Sequence, residues 1–350
     1  MGIPNKAFFR AFAYCQAVQV SALRTSRVPQ AAPRRATAGE AGPVDTFTPT
    51  YYDKAKDDRD VARYYSGLSA QPTYAELKRL VQTTHTTRFG FDPEKRLFPW
   101  IDLRPNGRLS SIYSAEPVPV DGPIHSKGKS DFVRKVKVKA PGRQRADGTV
   151  GPPRNVNKKI DFREQAKDWT KILQENPTDA VLVAQRIAMV EGHRYYNAEH
   201  SVPQWMFDGD RVPKGDMHHL FTCERDTNSR RGCRPYADVE HKPENRNYQG
   251  WAPKEINAFE PDAGKGAVAR AALYFLVRYP GKIGNQEGEY TPKDLETLLR
   301  WHRENPVSLY ELHRNQAISE VQGNRNPFID HPEWAEKVDF TPGFYAPPEA

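Results

Sequence analysis

The chain has 350 residues, 37% of them hydrophobic and thirty of them proline, which is enough apolar material for one sizeable core joined by many extended connections. No window approaches the roughly eighteen consecutive apolar residues of a membrane-spanning helix. A formal charge of +8 points to a polyanionic partner, either nucleic acid or an anionic membrane surface, and three cysteines are too few for a disulfide-built scaffold.

The N-terminal 1–50 reads as a targeting segment and linker. Phe8, Phe9, Phe12, Val18 and Leu23 are interleaved with Lys6, Arg10 and Arg24, and Glu40 is the first acid. An Arg-rich, acid-poor, amphipathic start is the pattern of a mitochondrial or plastid transit segment. A secretory peptide is the alternative, although Arg10 interrupts the apolar run. From Pro29 to Thr50 the composition is that of a linker. Residues 51–335 are assigned to one catalytic domain with a basic insert at 116–190, and 336–350 to a Pro-rich tail.

Within the domain, Ala62–Tyr65 and Thr73–Val81 have helical character. Thr73 and Glu76 have the spacing of a capping box, and Leu77, Leu80 and Val81 form one apolar stripe. Two β-prone runs, Leu97–Leu103 and Arg108–Tyr113, flank the turn Pro105-Asn106-Gly107 and predict a hairpin. The stretch from Glu116 to Asn157 is loop-like. In it Val133–Lys139 alternates, either as an edge strand whose lysines discourage aggregation or as a segment laid along a phosphate backbone by Lys135, Lys137 and Lys139. Helical periodicity returns over Ile160–Leu173 and Pro177–Val190. The apolar run Lys265–Tyr279 predicts a core helix ended by Pro280-Gly281. Thr291-Pro292 opens a further helix through Trp301, and Ser308–Val321 predicts another that stops at Gly323.

The chemistry concentrates between Tyr195 and Tyr236. Glu199-His200-Ser-Val-Pro-Gln-Trp is followed by Asp216-Met-His-His-Leu and then by Asn228-x-x-Arg231-Gly232. Carboxylate and amide oxygens suit a hard cation such as Mg²⁺, and a neutral imidazole can take a proton from water. Phosphodiester hydrolysis needs both, together with cationic donors. Zinc has less support, since no His-Glu-x-x-His is present and Cys223 and Cys233 lack finger spacing to the histidines. The two cysteines either pair or remain separate buried thiols.

These blocks, with Lys265-Gly-Ala-Val-Ala-Arg270, Pro306-Val307, Arg314-Asn315 and Gln322–Asp330, occur in an order that resembles the endonuclease I family of the ββα-metal (His-Me finger) nucleases. The resemblance implies an α+β fold: a ββα-metal core with surrounding helices and extended N- and C-terminal tails. It implies that His200 is the general base, that Glu199 and Asn228 hold one Mg²⁺ (Mn²⁺ or Ca²⁺ being substitutes), and that Arg231 either orients the site or touches phosphate. Glu199 and His200 would end the first strand, Asp216–Phe221 would be the second, and Asn228 would lie on the next helix. Neighbours on a strand point to opposite faces, so the strand must end or bulge there, which Pro203 suits. His218 and His219 are expected to pack or support, Trp205 to be core, and Asn324-Arg325-Asn326 to be a structural turn. Relatives that carry an arginine in a long loop after the first strand have only Asp208–Lys214 as counterpart here, leaving Arg211 or Lys214 for that contact. The expected function is Mg-dependent, sugar-nonspecific hydrolysis of DNA and/or RNA. The competing reading is a catalytically retired fold that binds RNA or acts as a scaffold in a large organellar assembly.

Overall fold

The structure, a computed structural model, describes residues 51–114, 133–140, 154–161, 196–247 and 249–345. The targeting segment and linker, the expected helices beyond residue 161 and the end of the Pro-rich tail lie outside the described residues. What is described is α+β: helices around small antiparallel sheets. No helix among the described residues is long and apolar enough to cross a membrane.

Local sequence sets the helix ends. Helix α1 (Lys54–Tyr64) begins where the Asp53 carboxylate accepts the Lys56 amide. Helix α2 (Tyr74–Thr84) carries the full capping box: Thr73 accepts from the Glu76 amide and Glu76 from the Thr73 amide, which satisfies two otherwise orphaned donors. Its stripe places Leu77 and Val81 in the core, with Leu80 packed at the margin.

Between the site hairpin and the C-terminal helices, helix α3 (Arg225–Arg231) is short, whereas α4 (Lys265–Arg278) is the axis of the molecule and is buried from Gly266 to Arg278. Helix α5 (Leu295–Glu304) packs along α4, and α2 lies against it as well. A side chain at Gly266 would start 2.6 Å from the Asn305 carbonyl, so glycine is what lets α4 and the end of α5 approach. The Thr291-Pro292 opening forms a 3₁₀ turn, Pro292–Asp294, before α5 begins at Leu295. Helix α6 (Leu309–Gln322) is capped by a Ser308–Glu311 box and ends at Gly323, whose φ of 94° suits glycine.

Three expectations are corrected. Leu97–Ile101 is a π-helical turn and 103–113 contains no strand. The turn itself forms, since the Gly107 amide donates to the Arg104 carbonyl at 2.8 Å. Tertiary bonds override the β propensity on both sides of it: buried Asp102 pairs with Arg314 and accepts the Thr222 amide, and the Ile112 amide is taken by the Thr222 carbonyl. The edge-strand reading of Val133–Lys139 holds, as strand β1 (Val133–Ala140), but β1 pairs antiparallel with β2 (Arg154–Asp161) in a stretch otherwise expected to be loop-like, and Ile160 therefore belongs to a strand and not to a helix. The third correction concerns the second strand of the site. It begins at Leu220, because Asp216 caps a 3₁₀ turn over Met217–His219 by accepting the His218 amide.

Candidate active site

Strand β3 (Tyr196–His200) pairs with β4 (Leu220–Glu224), with Glu199 opposite Phe221 and His200 opposite Leu220. Alternation along β4 sends Phe221 and Cys223 into the main core around α4, and Leu220 into a second cluster with Leu97, Leu109, Tyr196 and Ile318. The pair is thus clamped between two apolar bodies. Glu224 then caps α3, accepting the amides of Asp226 and Thr227 at 3.1 and 2.9 Å. The chain turns directly from strand into helix, and α3 packs on β3. Two residues of α3 consequently reach back to the first strand.

Asn228 is one. Its amide nitrogen donates to Asn197 Oδ1 at 2.8 Å and to the Ala198 carbonyl at 3.3 Å. A carbonyl can only accept, which fixes the orientation of the amide; the Asn228 Oδ1 takes no donor among the described residues. Arg231 is the other, and it is 1% exposed. Its guanidinium donates to the Glu199 carboxylate, to the His200 carbonyl at 2.7 Å and to the Ser201 carbonyl at 2.9 Å, and it lies over the Tyr236 ring. Arg231 therefore sits beneath the strand end and grips it.

Glu199 Oε1 receives Arg231 and also the Tyr113 hydroxyl, at 2.7 Å. Both donors converge on one oxygen, and Oε2 has no donor among the described residues. Since Tyr113 gives its proton to the carboxylate, the Tyr236 hydroxyl 2.7 Å away is the donor to Tyr113. Burial pushes the Glu199 carboxyl up, and Arg231 and Tyr113 act against it.

The pleat sends His200 to the other side, and the strand ends there. His200 Nε2 lies 3.0 Å from the Lys214 carbonyl, so this nitrogen carries the proton and Nδ1 is the basic atom. Nδ1 faces the Gln204 amide at 3.1 Å. Burial, reinforced by His219, holds the imidazole well below its ordinary pKa and hence neutral. Phe91 stacks on the ring with centroids 5.4 Å apart.

Beneath this lies an anchor. Asp216 Oδ2 accepts the hydroxyls of Tyr274 and Tyr279, and Oδ1 accepts Gln322 and the His218 amide. His218 donates to the Asn324 carbonyl and His219 to that of Pro213. Both rings are buried and spent on backbone anchoring. Asn324, Arg325 and Asn326 are likewise buried, tying α6 to Tyr274, to Asp57 and Asp330, and to the Arg270 carbonyl. Trp205 is core, its indole donating to the Cys233 carbonyl. Cys223 is a free, buried thiol, so it forms no bond to Cys233.

The structure thus gathers Glu199, His200, Asn228 and Arg231 around the β3 end. Arg211 and Lys214 share the short turn whose carbonyl holds His200; Arg211 is exposed and Lys214 half-buried. Lys135, Lys137 and Lys139 stand on β1, which pairs only with β2 among the described strands. Tyr113, Gln204 and Phe91 escaped the sequence reading. Nothing in the spacing links positions 91 or 113 to Glu199-His200, and only the folded chain brings them together.

A strand–strand–helix hairpin with a carboxylate and an imidazole on its first strand and an amide on its helix defines a ββα site. The family model for endonuclease I matches residues 150–333, more than half of the chain. The chain belongs to the endonuclease I family. It is similar to an extracellular ribonuclease of Bacillus amyloliquefaciens, 38% identical over 143 residues that cover 36% of this chain and 47% of the relative. It is also similar to an extracellular ribonuclease of Bacillus subtilis (strain 168), at 36% identity over 38% of this chain and 49% of the relative. An extracellular deoxyribonuclease of Aeromonas hydrophila is 30% identical over 38% of this chain and 64% of its own length. The chain therefore spans about half the length of the Bacillus relatives it matches.

Proposed function

We propose that the protein is a Mg-dependent, sugar-nonspecific endonuclease that hydrolyses phosphodiester bonds of DNA and RNA, with His200 as general base. The observation that carries the reading is the orientation of three heteroatoms. Among the described residues Glu199 Oε2 and Asn228 Oδ1 lack protein donors while their companion atoms are pinned, and His200 Nδ1 is the unprotonated nitrogen. Two hard oxygen donors, one anionic, suit Mg²⁺ that keeps most of its water, with Mn²⁺ or Ca²⁺ as substitutes. Bound there, the ion supplies Lewis-acid stabilisation of the charge that develops on phosphate.

The chain's own residues supply the remainder. His200 Nδ1 takes the proton of the attacking water, and the Lys214 carbonyl holds the ring and disperses the positive charge that appears on it. The Gln204 amide yields its place at Nδ1 to that water. Arg231 positions the strand end, and Arg211 and Lys214 meet phosphate. Recognition through phosphate carries no information about sequence or sugar, which accords with relatives named as ribonuclease and as deoxyribonuclease. Extracellular relatives also favour secretion over the organellar destination, and N-terminal sequencing of the mature protein tests this.

Plasmid and single-stranded RNA should both be cleaved with Mg²⁺ or Mn²⁺, and cleavage should stop in excess chelator. Glu199→Ala should abolish rescue at ordinary metal concentrations, whereas Asn228→Asp, which keeps an oxygen ligand, should retain part of it. Full activity in chelator refutes the reading.

A further inference from the structure

An aromatic ring stands exposed at the edge of the site. Phe91 is 41% exposed, yet one of its faces lies on the His200 imidazole at an interplanar angle of 24°. The Lys214 ammonium is 5.7 Å from its centroid, and Arg211 Nε lies 4.0 Å from the position a side chain on Gly90 would take. This position is built: a side chain at Gly215 would start 2.2 Å from the Phe89 carbonyl, so the loop carrying Phe91 rests backbone to backbone on the segment that ends in Lys214. Arg96 covers the neighbouring Phe89 at 3.7 Å, whereas no cation among the described residues covers Phe91 as closely.

We propose that the outward face of Phe91 is a stacking platform for one nucleobase beside the scissile phosphate, and that it biases the site towards single-stranded, splayed substrates. This deepens the nuclease reading and rests on it. A base within a duplex has both faces occupied by its neighbours, so it reaches Phe91 only after unstacking. A base in a single strand offers a face at once, while Lys214 and Arg211 hold the adjoining phosphates.

The test compares wild type, Phe91→Ala and Phe91→Leu on a single strand, the matching duplex and an abasic strand of the same length. Leucine keeps an apolar side chain of similar bulk without a π-face, so it separates stacking from packing. Both variants lower kcat/KM on the single strand by about ten- to a hundredfold, and lower it less on the duplex and the abasic strand. Phe91→Trp restores the preference. In excess chelator, where no cleavage occurs, quenching of a single strand containing 2-aminopurine is weaker with both variants. Equal losses on all three substrates assign Phe91 to shielding the imidazole and overturn the platform, as does unaltered quenching. Failure of wild type to cut any nucleic acid with Mg²⁺ refutes the nuclease reading instead, and the quenching comparison still decides the stacking.

Discussion

Tyr113 and Arg231 do their work on a single oxygen. By converging on Glu199 Oε1 they fix which carboxylate oxygen is left outward, and they support the charged form against burial. Neither needs to touch substrate. Tyr113→Phe removes one hydrogen bond to a charged group, worth about 1.5–3 kcal/mol, and should weaken Mn²⁺ binding measured by electron paramagnetic resonance. The defect in turnover should be recovered by raising the metal concentration. Arg231→Met is expected to be harsher, because it leaves a buried carboxylate without its ion-pair partner and takes a donor from the His200 and Ser201 carbonyls. A loss of roughly 3–5 kcal/mol in chemical denaturation is expected, and no metal concentration should restore it. His200→Ala, by contrast, should lower kcat by about two to four orders of magnitude without a comparable loss of stability.

At the scale of elements, the hairpin and its helix act as one part. Glu224 ends β4 and caps α3 in a single residue, so no loop intervenes to loosen the position of Asn228. The β1–β2 ribbon is built differently. It pairs with no other described strand, and Lys135, Lys137 and Lys139 occupy alternate positions of β1, with Lys159 opposite Lys135 in register. Neutralising the three β1 lysines together should flatten the slope of log affinity for nucleic acid against log salt, by about one for each phosphate that is no longer neutralised. An unaltered slope would leave the ribbon with a role apart from nucleic acid.

For the molecule as a whole, the buried polar layer between α4, α6 and the 217–219 turn ties stability to pH. Burial pushes His218 down to about 4, and Asp216 stays below the ordinary carboxylate range because its histidine neighbours and Gln322 outweigh burial. In the unfolded chain His218 titrates near 6.5. Between these values the unfolded state binds the extra proton, so stability is fully present above pH 6.5 and falls as pH drops towards 4. The Asp216 contribution is lost at still lower pH. Urea denaturation across this range should show the decline, and a flat profile between pH 6.5 and 4 would contradict the burial of a neutral His218.

Helix caps, the apolar run of α4 and the ordered blocks around Glu199-His200 and Asn228 were legible in the sequence, because each is a local pattern. Thr73 and Glu76 three residues apart satisfy each other wherever they lie, and thirteen consecutive buried residues of α4 follow from its composition. Only tertiary structure decided the fate of Leu97–Tyr113, where Asp102 and Ile112 spend their bonding capacity on β4 and Arg314 instead of on each other's strands. The start of β4 was decided in the same way, by tyrosines of α4 and its end holding Asp216. The site divides along this line as well. The residues proposed as base and as one metal ligand, His200 and Glu199, are adjacent in sequence, and Asn228 follows in a nearby block, whereas Tyr113 and Phe91 reach the pair from 86 and 109 residues away. Hydrogen bonds and ring contacts act over a few ångströms of space, and separation along the chain does not reveal which distant residues folding will bring within that reach.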